Sequence, residues 1–419
     1  MPLPSPTTQN LMLEFVIERV GERGDGLAQG KAFARTLPGE HVQQATSGAR
    51  SITQPSPDRV PAFCPVFETC GGCKLQHWQA APYQAWKTSL LVEALKARGL
   101  APKIEKLVDA HGEGRRRASF HVREIEGQWQ AGFMAAGTHS LVPIQRCPIL
   151  VPKLQDAPVL AARFGPLFGE CDVLITAAEN GLDIAIKAKR QLPDKALQSL
   201  DALMQQQMIA RIALNGQTLV QRGAPLIQTG KAQIALPIGA FLQATQRGEE
   251  VLSSLVESHM GKAKKVADLF CGLGPFTLRL AESRNVEAFD SDKPAIAAVG
   301  QALRHVQGLR PVKPQVLDLF NHPLTPADLN AYDAVVLDPP RAGAQVQCEA
   351  IAKSNLTRVV MVACDVQSFA RDAAILVAAG FLLKTLTPVD QFKYSAHLEC
   401  VGLFTRRQRP QASPWAAKA

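Results

Sequence analysis

Three residues in the C-terminal part of this chain have the types needed for covalent chemistry on a carbon atom. Cys364 follows an apolar run (358–363), Asp338 follows another (334–337), and Glu399 heads a third, Glu399-Cys400-Val401. Apolar runs of this kind read as buried strands, and in an open parallel sheet ligands bind beyond the carboxyl ends of the strands. A cysteine there is either a small buried hydrophobe or a nucleophile. A carboxylate at the tip of the neighbouring expected strand favours the nucleophile. Asp338 opens the turn Asp338-Pro339-Pro340-Arg341, in which two prolines stiffen the backbone and withhold two N–H donors. Glu399 is expected at the start of an edge strand, where beside a thiol it would serve as a general base.

A second group of residues suits a nucleotide-like ligand. The run Val266-Ala267-Asp268-Leu269-Phe270-Cys271-Gly272-Leu273-Gly274-Pro275-Phe276-Thr277 is a strand, a glycine turn and a helix start. Glycines at a first βα turn let a ligand approach the backbone. Asp290 stands 22 residues after Asp268, at the end of the next expected strand, where a carboxylate binds ribose hydroxyls. Thr277 replaces the third glycine of a dinucleotide fingerprint, which argues against a nicotinamide cofactor. Asp318 is expected to end the third strand. A third group is the cysteine run Cys64-x5-Cys70-x2-Cys73, with Cys147 following 74 residues later. Four thiols so spaced suit zinc or an iron–sulfur cluster alike.

The elements that must position these groups fall into three segments. Residues 1–58 contain alternating apolar positions, with strands expected at 14–20 and 30–35. Residues 59–240 hold the cysteine run, a helix at 83–98 with Leu90, Leu91 and Leu95 on one face, and a mostly antiparallel sheet (117–125, 129–134, 173–176, 182–187, 212–214). Residues 241–419 alternate apolar strands (265–270, 285–290, 314–319, 331–337, 358–363, 381–389, 398–405) with helical stretches. That rhythm predicts a parallel, doubly wound α/β sheet. A chain of 419 residues exceeds one ordinary core. Its 46% hydrophobic and 20% charged content excludes a disordered, collagen-like or coiled-coil protein. The net charge of +9 favours a polyanionic partner such as RNA. Arg115-Arg116-Arg117 and Arg123, near Phe120 and Trp129, are candidates to meet single-stranded RNA. No apolar run approaches the roughly 18 residues of a membrane span, and residues 1–10 lack a leader pattern. The expected compartment is the cytoplasm, with nine unpaired cysteines. The tail 406–409 is basic and expected to fray.

Taken in order, the acid-Leu-Phe-Cys-Gly loop, Asp338-Pro339-Pro340-Arg341, Cys364 and Glu399 resemble the RNA uracil-5-methyltransferase family, over nearly the whole chain. The resemblance implies a class I, Rossmann-like methyltransferase domain at 241–419. It implies that S-adenosyl-L-methionine is bound by Gln243, Phe270, Asp290, Asp318 and Asp338. It implies that Cys364 adds to C6 of a uridine and Glu399 removes the C5 proton. It also implies a [4Fe–4S] cluster on Cys64, Cys70, Cys73 and Cys147, and an N-terminal β-barrel similar to the TRAM domain. Acting on C6 requires the base to leave its stack. The cysteine run resembles the branch acting on 23S ribosomal RNA more than the tRNA branch, and no obligatory protein partner is implied. Pro275, Thr245 and Asp365-Val366 depart from the common pattern. An RNA cytosine-5-methyltransferase is the rival enzyme, disfavoured because the Asp338-Pro339-Pro340 turn has no cysteine. A non-catalytic RNA-binding or iron–sulfur sensing protein on the same scaffold is the rival of another class.

Overall fold

The C-terminal sheet is built from strands buried on both sides, which is why their sequences read as unbroken apolar runs. In this computed structural model, which describes residues 12–190 and 196–407, the sheet has eight strands. Their order is Val312–Val316, Asn285–Asp290, Lys265–Leu269, Ala334–Leu337, Arg358–Ala363, Glu399–Thr405, Leu382–Asp390, Val108–Asp109. The first five are mutually parallel. The chain moves outward from Lys265–Leu269 to one side, then returns to Ala334–Leu337 on the other. A crevice opens at such a reversal, beyond the strand carboxyl ends.

Alternating side chains face opposite layers. Ala267, Leu269, Val335, Leu337, Val359 and Met361 pack with Cys348 and Ile351 of helix Gln345–Lys353, and with Phe369 and Ala373 of helix Val366–Ala378. Val266, Val336, Val360 and Val362 pack instead with Leu252 and Val256 of helix Gln246–Met260.

Two expectations are corrected. Glu399–Thr405 is not an edge strand: it pairs antiparallel with Arg358–Ala363 on one side and Leu382–Asp390 on the other. The edge is taken by Val108–Asp109, paired with Val389 and Asp390. Asp318 lies beyond the third strand, which ends at Val316. Its carboxylate accepts the N–H groups of Phe320 and Asn321 and closes a turn there.

The seven-stranded sheet runs Leu141–Pro143, Gln128–Met134, Arg117–Ile125, Cys171–Ala178, Gly181–Ala188, Ile209–Leu214, Gln217–Gln221. Its ladders are antiparallel except for Gly181–Ala188 with Ile209–Leu214. Two small three-stranded sheets form the N-terminal region around Phe15, Ile17, Ala28, Phe33 and Val42. The strand expected at 14–20 is split into Met12–Val16 and Arg19–Val20. The one expected at 30–35 becomes Gly26–Ala28 and Lys31–Phe33, because Gln29 and Gly30 take positive φ of 49° and 75° and turn the chain. The helix is Ala80–Lys96, and Gly99 (φ 72°) follows its end.

By compactness the chain divides into two units. One comprises 1–90, 134–140 and 394–396; the other comprises 91–133, 141–393 and 397–419. No helix among the described residues is long and apolar enough to cross a membrane. Residues 1–10 and the tail from 408 lie outside the described residues.

Candidate active site

The glycine turn is held open by its neighbours. Strand Lys265–Leu269 ends at Phe270, a non-glycine residue with φ 63°, a conformation that costs on the order of 1–2 kcal/mol and that clusters at functional sites. The Phe270 ring lies 5.3 Å from that of Phe320. Gly272 has φ 52°, and a Cβ placed on it would meet nothing within 4 Å, so the backbone borders open space. Asp290 Oδ2 accepts the Gly272 N–H at 2.8 Å and its Oδ1 accepts the Asp292 N–H at 2.8 Å. Below the turn, Thr277 Oγ1 donates to the fully buried Asp268. Burial pushes the Asp268 carboxyl up to about 7, the Asp290 charge adding to this and the Thr277 bonds opposing it.

Cys364, Asp338 and Glu399 meet beside this turn. Ala334–Leu337 and Arg358–Ala363 are hydrogen-bonded neighbours, so Asp338 and Cys364 leave adjacent strand ends. Ala363 is in register with Cys400 on the antiparallel strand, which brings Glu399 level with Cys364. Asp338 N–H donates to the Leu269 carbonyl at 3.2 Å, tying it to the glycine loop. Burial pushes the Cys364 thiol up to about 12; the Glu399 and Asp338 charges add to this, and Arg341 opposes it. Burial pushes the Glu399 carboxyl up to about 7, against a hydrogen bond from Gln391 and the charge of Arg341. Asp338 is held well above its usual range by burial and by the charges of Glu399, Asp268 and Asp290. A cleft with so many crowded carboxyl groups fits a cationic ligand such as a sulfonium.

Gln243 joins this group. Its Nε2 donates to Asp338 Oδ2 at 3.4 Å, and its backbone carbonyl accepts Arg116 Nε at 3.0 Å. Thr245 caps helix Gln246–Met260 by accepting the Gly248 N–H at 2.8 Å, and its hydroxyl donates to the Ala110 carbonyl at 2.6 Å. Asp365 likewise caps helix Val366–Ala378 through the N–H groups of Gln367 and Ser368. Two of the sequence departures are thus helix caps. Asp318 is the candidate drawn least into the cleft: its carboxylate is engaged by Phe320 and Asn321, which lower its pKa. Sequence reading missed Gln391, which bridges Gln243 and Glu399. A polar residue immediately after a buried strand was its only signal.

The arginine expectation is corrected at Arg116. Arg116 is buried, with Nη2 on Glu249 Oε2 at 2.5 Å; Arg279 Nη1 holds the other Glu249 oxygen at 2.9 Å. Arg117 Nη1 donates to the Ala240 carbonyl, and Arg123 Nη1 to those of Val122 and Cys171. Phe120 is fully buried and Trp129 lies against Gly165. Arg116 braces the interior, whereas Arg117 and Arg123 are half-buried.

Cys70, Cys73 and Cys147 are buried and Cys64 is half-buried; Cys171, Cys271, Cys348 and Cys400 are buried as well. Among the described residues, no three or more His, Cys, Asp or Glu side chains are placed to hold a metal ion. Locally the loop is ordered: the Gly72 N–H points at Cys70 Sγ at 3.4 Å, and the Cys64 N–H donates to Gln76 Oε1 at 3.2 Å.

No protein-family model matches the chain. Its relatives are informative. An RNA methyltransferase of Brucella suis, described as uncharacterised, is 42% identical over 405 residues, covering 94% of this chain and 98% of that one. One of Caulobacter vibrioides, similarly described, is 40% identical, covering 94% and 100%. The 23S rRNA (uracil(1939)-C(5))-methyltransferase of Alteromonas mediterranea is 28% identical, covering 94% and 88%. The chain belongs to the RNA methyltransferase family of these relatives. The fold agrees with that family: the Pyrococcus abyssi tRNA (uracil-54, C5)-methyltransferase, solved with S-adenosyl-L-homocysteine, matches with a TM-score of 0.72 at 19% identity, covering 94% of this chain and 99% of that one. The chain's relatives are RNA methyltransferases, and this chain is an enzyme of that kind.

Proposed function

We propose that the protein methylates C5 of a uridine in RNA, with Cys364 as nucleophile and Glu399 as base. The observation that carries this reading is the strand register that sets Glu399 level with Cys364 beside Asp338 and the open glycine turn. C5 of uracil is a weak nucleophile. Addition of the Cys364 thiolate to C6 breaks the C5–C6 double bond and moves its electron pair to C5. S-adenosyl-L-methionine supplies a methyl group on a cationic sulfur, and C5 takes it as the sulfur–carbon bond breaks. Glu399 then removes the C5 proton, the double bond re-forms, and Cys364 leaves as thiolate. Gln243, Phe270, Asp290 and Asp338 hold the cofactor, with Asp318 at its outer end.

Ribosomal RNA is the proposed substrate, because the Alteromonas relative that carries a substrate in its name acts on 23S rRNA. We assign substrate binding to 1–58 (a TRAM-like barrel) and 59–240, and catalysis to 241–419. A [4Fe–4S] cluster on Cys64, Cys70, Cys73 and Cys147 is proposed on the cysteine spacing and on the Gly72 N–H aimed at Cys70 Sγ. Methyl transfer requires no electron, so the cluster has no step in the reaction.

The test is methyl transfer from labelled S-adenosyl-L-methionine to unmodified ribosomal RNA and tRNA, using protein purified anaerobically, followed by nucleoside analysis. The expected result is 5-methyluridine in ribosomal RNA, lost in Cys364→Ala. Product in tRNA alone overturns the substrate, and no product from either overturns the reaction. Iron and sulfide analysis of the same preparation decides the cluster separately.

A further inference from the structure

The Gln391 side chain is fully buried among three separate elements of the cleft. It follows strand Leu382–Asp390, and its Nε2 donates both to Gln243 Oε1 at 2.7 Å and to Glu399 Oε1 at 3.1 Å. Gln243 in turn reaches Asp338. The half-buried Asp338 carboxyl and the buried Glu399 carboxyl are therefore joined by two amides in series. Gly248, one turn into helix Gln246–Met260, forms the floor under Gln391: a Cβ there would lie 2.5 Å from Gln391 Oε1.

Gln391 Oε1 is buried without a hydrogen-bond partner. Such a group is costly unless a second state satisfies it. The amide has a donor end and an acceptor end. With the donor end toward Glu399 it suits a carboxylate, which only accepts. Turned about, it suits a carboxylic acid, which donates. A base passes through both states in one turnover.

We propose that Gln391 is a positioning residue for Glu399: its amide donates to the carboxylate before proton removal and, turned end for end, accepts from the carboxylic acid afterwards. This rests on Glu399 being the base in the proposed reaction. Gln243 can turn in concert, exchanging its donor for its acceptor toward Asp338, so the state of the base is passed to the cofactor side of the cleft. The other ionisable groups interacting with Glu399 are Arg341, Cys364, Cys400 and Asp338. Among these groups and Gln391, only Arg341 and Gln391 favour its ionised form.

The experiment titrates the Glu399 carboxyl of the full-length protein by isotope-edited infrared difference spectroscopy, with the band assigned by its loss in Glu399→Gln. Gln391→Met keeps the length and removes the donor. Gln391→Glu keeps the shape and adds a like charge. Both should move the midpoint upward, by about one pH unit for Gln391→Met, and the acid limb of the kcat profile should rise with it, a roughly tenfold loss of rate below the midpoint. A merely structural role would lower the melting temperature and leave both midpoints in place. An unchanged Glu399 midpoint in either variant with a native melting curve overturns the inference. If the wild-type protein forms no 5-methyluridine, the proposed reaction fails instead, and the infrared midpoint still decides Gln391.

Discussion

At the scale of the residue, burial favours the protonated form of the cleft's reactive groups. Cys364 is half-buried beside two carboxyl groups and pushed up to about 12, which favours the thiol over the thiolate at neutral pH. Alkylation of Cys364 by iodoacetamide should be slow near pH 7 and accelerate about tenfold per pH unit, read by mass spectrometry of the peptide; fast, pH-independent labelling would contradict this environment. Glu399, raised to about 7, is ionised only above that pH. Methyl transfer should fall on the acid side of pH 7, because a protonated carboxyl takes no proton from C5. Glu399→Gln removes that base while sparing the thiol. It should arrest the reaction at the Cys364–RNA adduct, visible as a covalent complex on a denaturing gel. Absence of the adduct, with Cys364 intact, would remove Glu399 from the role.

At the scale of the element, helix starts and one buried ion network hold the cleft. The Thr245 hydroxyl both caps helix Gln246–Met260 and ties Ala110 to it. Thr245→Val should cost about 1–2 kcal/mol in urea unfolding, and Thr245→Asn, which keeps a cap, less. Arg116→Met leaves Glu249 with Arg279 alone and should cost about 3 kcal/mol by the same measurement, since removing one partner strands a buried charge. A loss below about 1 kcal/mol would mean that Arg279 suffices. The strands were legible because two-sided burial leaves continuous apolar runs, and Asn285–Asp290 and Arg358–Ala363 fall where expected. The interior position of Glu399–Thr405 was not legible. An edge strand and an interior strand of one sheet carry similar apolar runs, and the edge was filled by Val108–Asp109, remote in sequence.

At the scale of the whole molecule, charge governs partner and stability. With a net charge of +9, RNA affinity should fall at least about tenfold between about 50 and 200 mM salt, as counterion release requires. A flat response would argue against an electrostatic footprint. In the N-terminal unit, burial raises the Glu40 carboxyl, but Arg59 and the Leu37 and Ser56 N–H groups outweigh it and its pKa is lowered. Its stabilisation is present above the unfolded value of 4.5 and lost as pH falls through the lower folded one. That unit should therefore loosen below about pH 4.5, seen as early amide exchange around Glu40. The sequence by itself determined the α/β class and singled out the glycine turn, Cys364, Asp338 and Glu399 as candidates, because each stands at the end of a run whose burial is written in its own composition. Only the tertiary structure decided that Arg116 braces the interior, that Asp318 closes its own turn, and that Gln391 sits between Gln243 and Glu399. Those roles depend on which distant segment supplies the partner, and the partners of Gln391 lie 148 and 8 residues away in the chain. Spacing along one strand or loop carries no information about such pairings; the ladder register and the helix packed across it fix them.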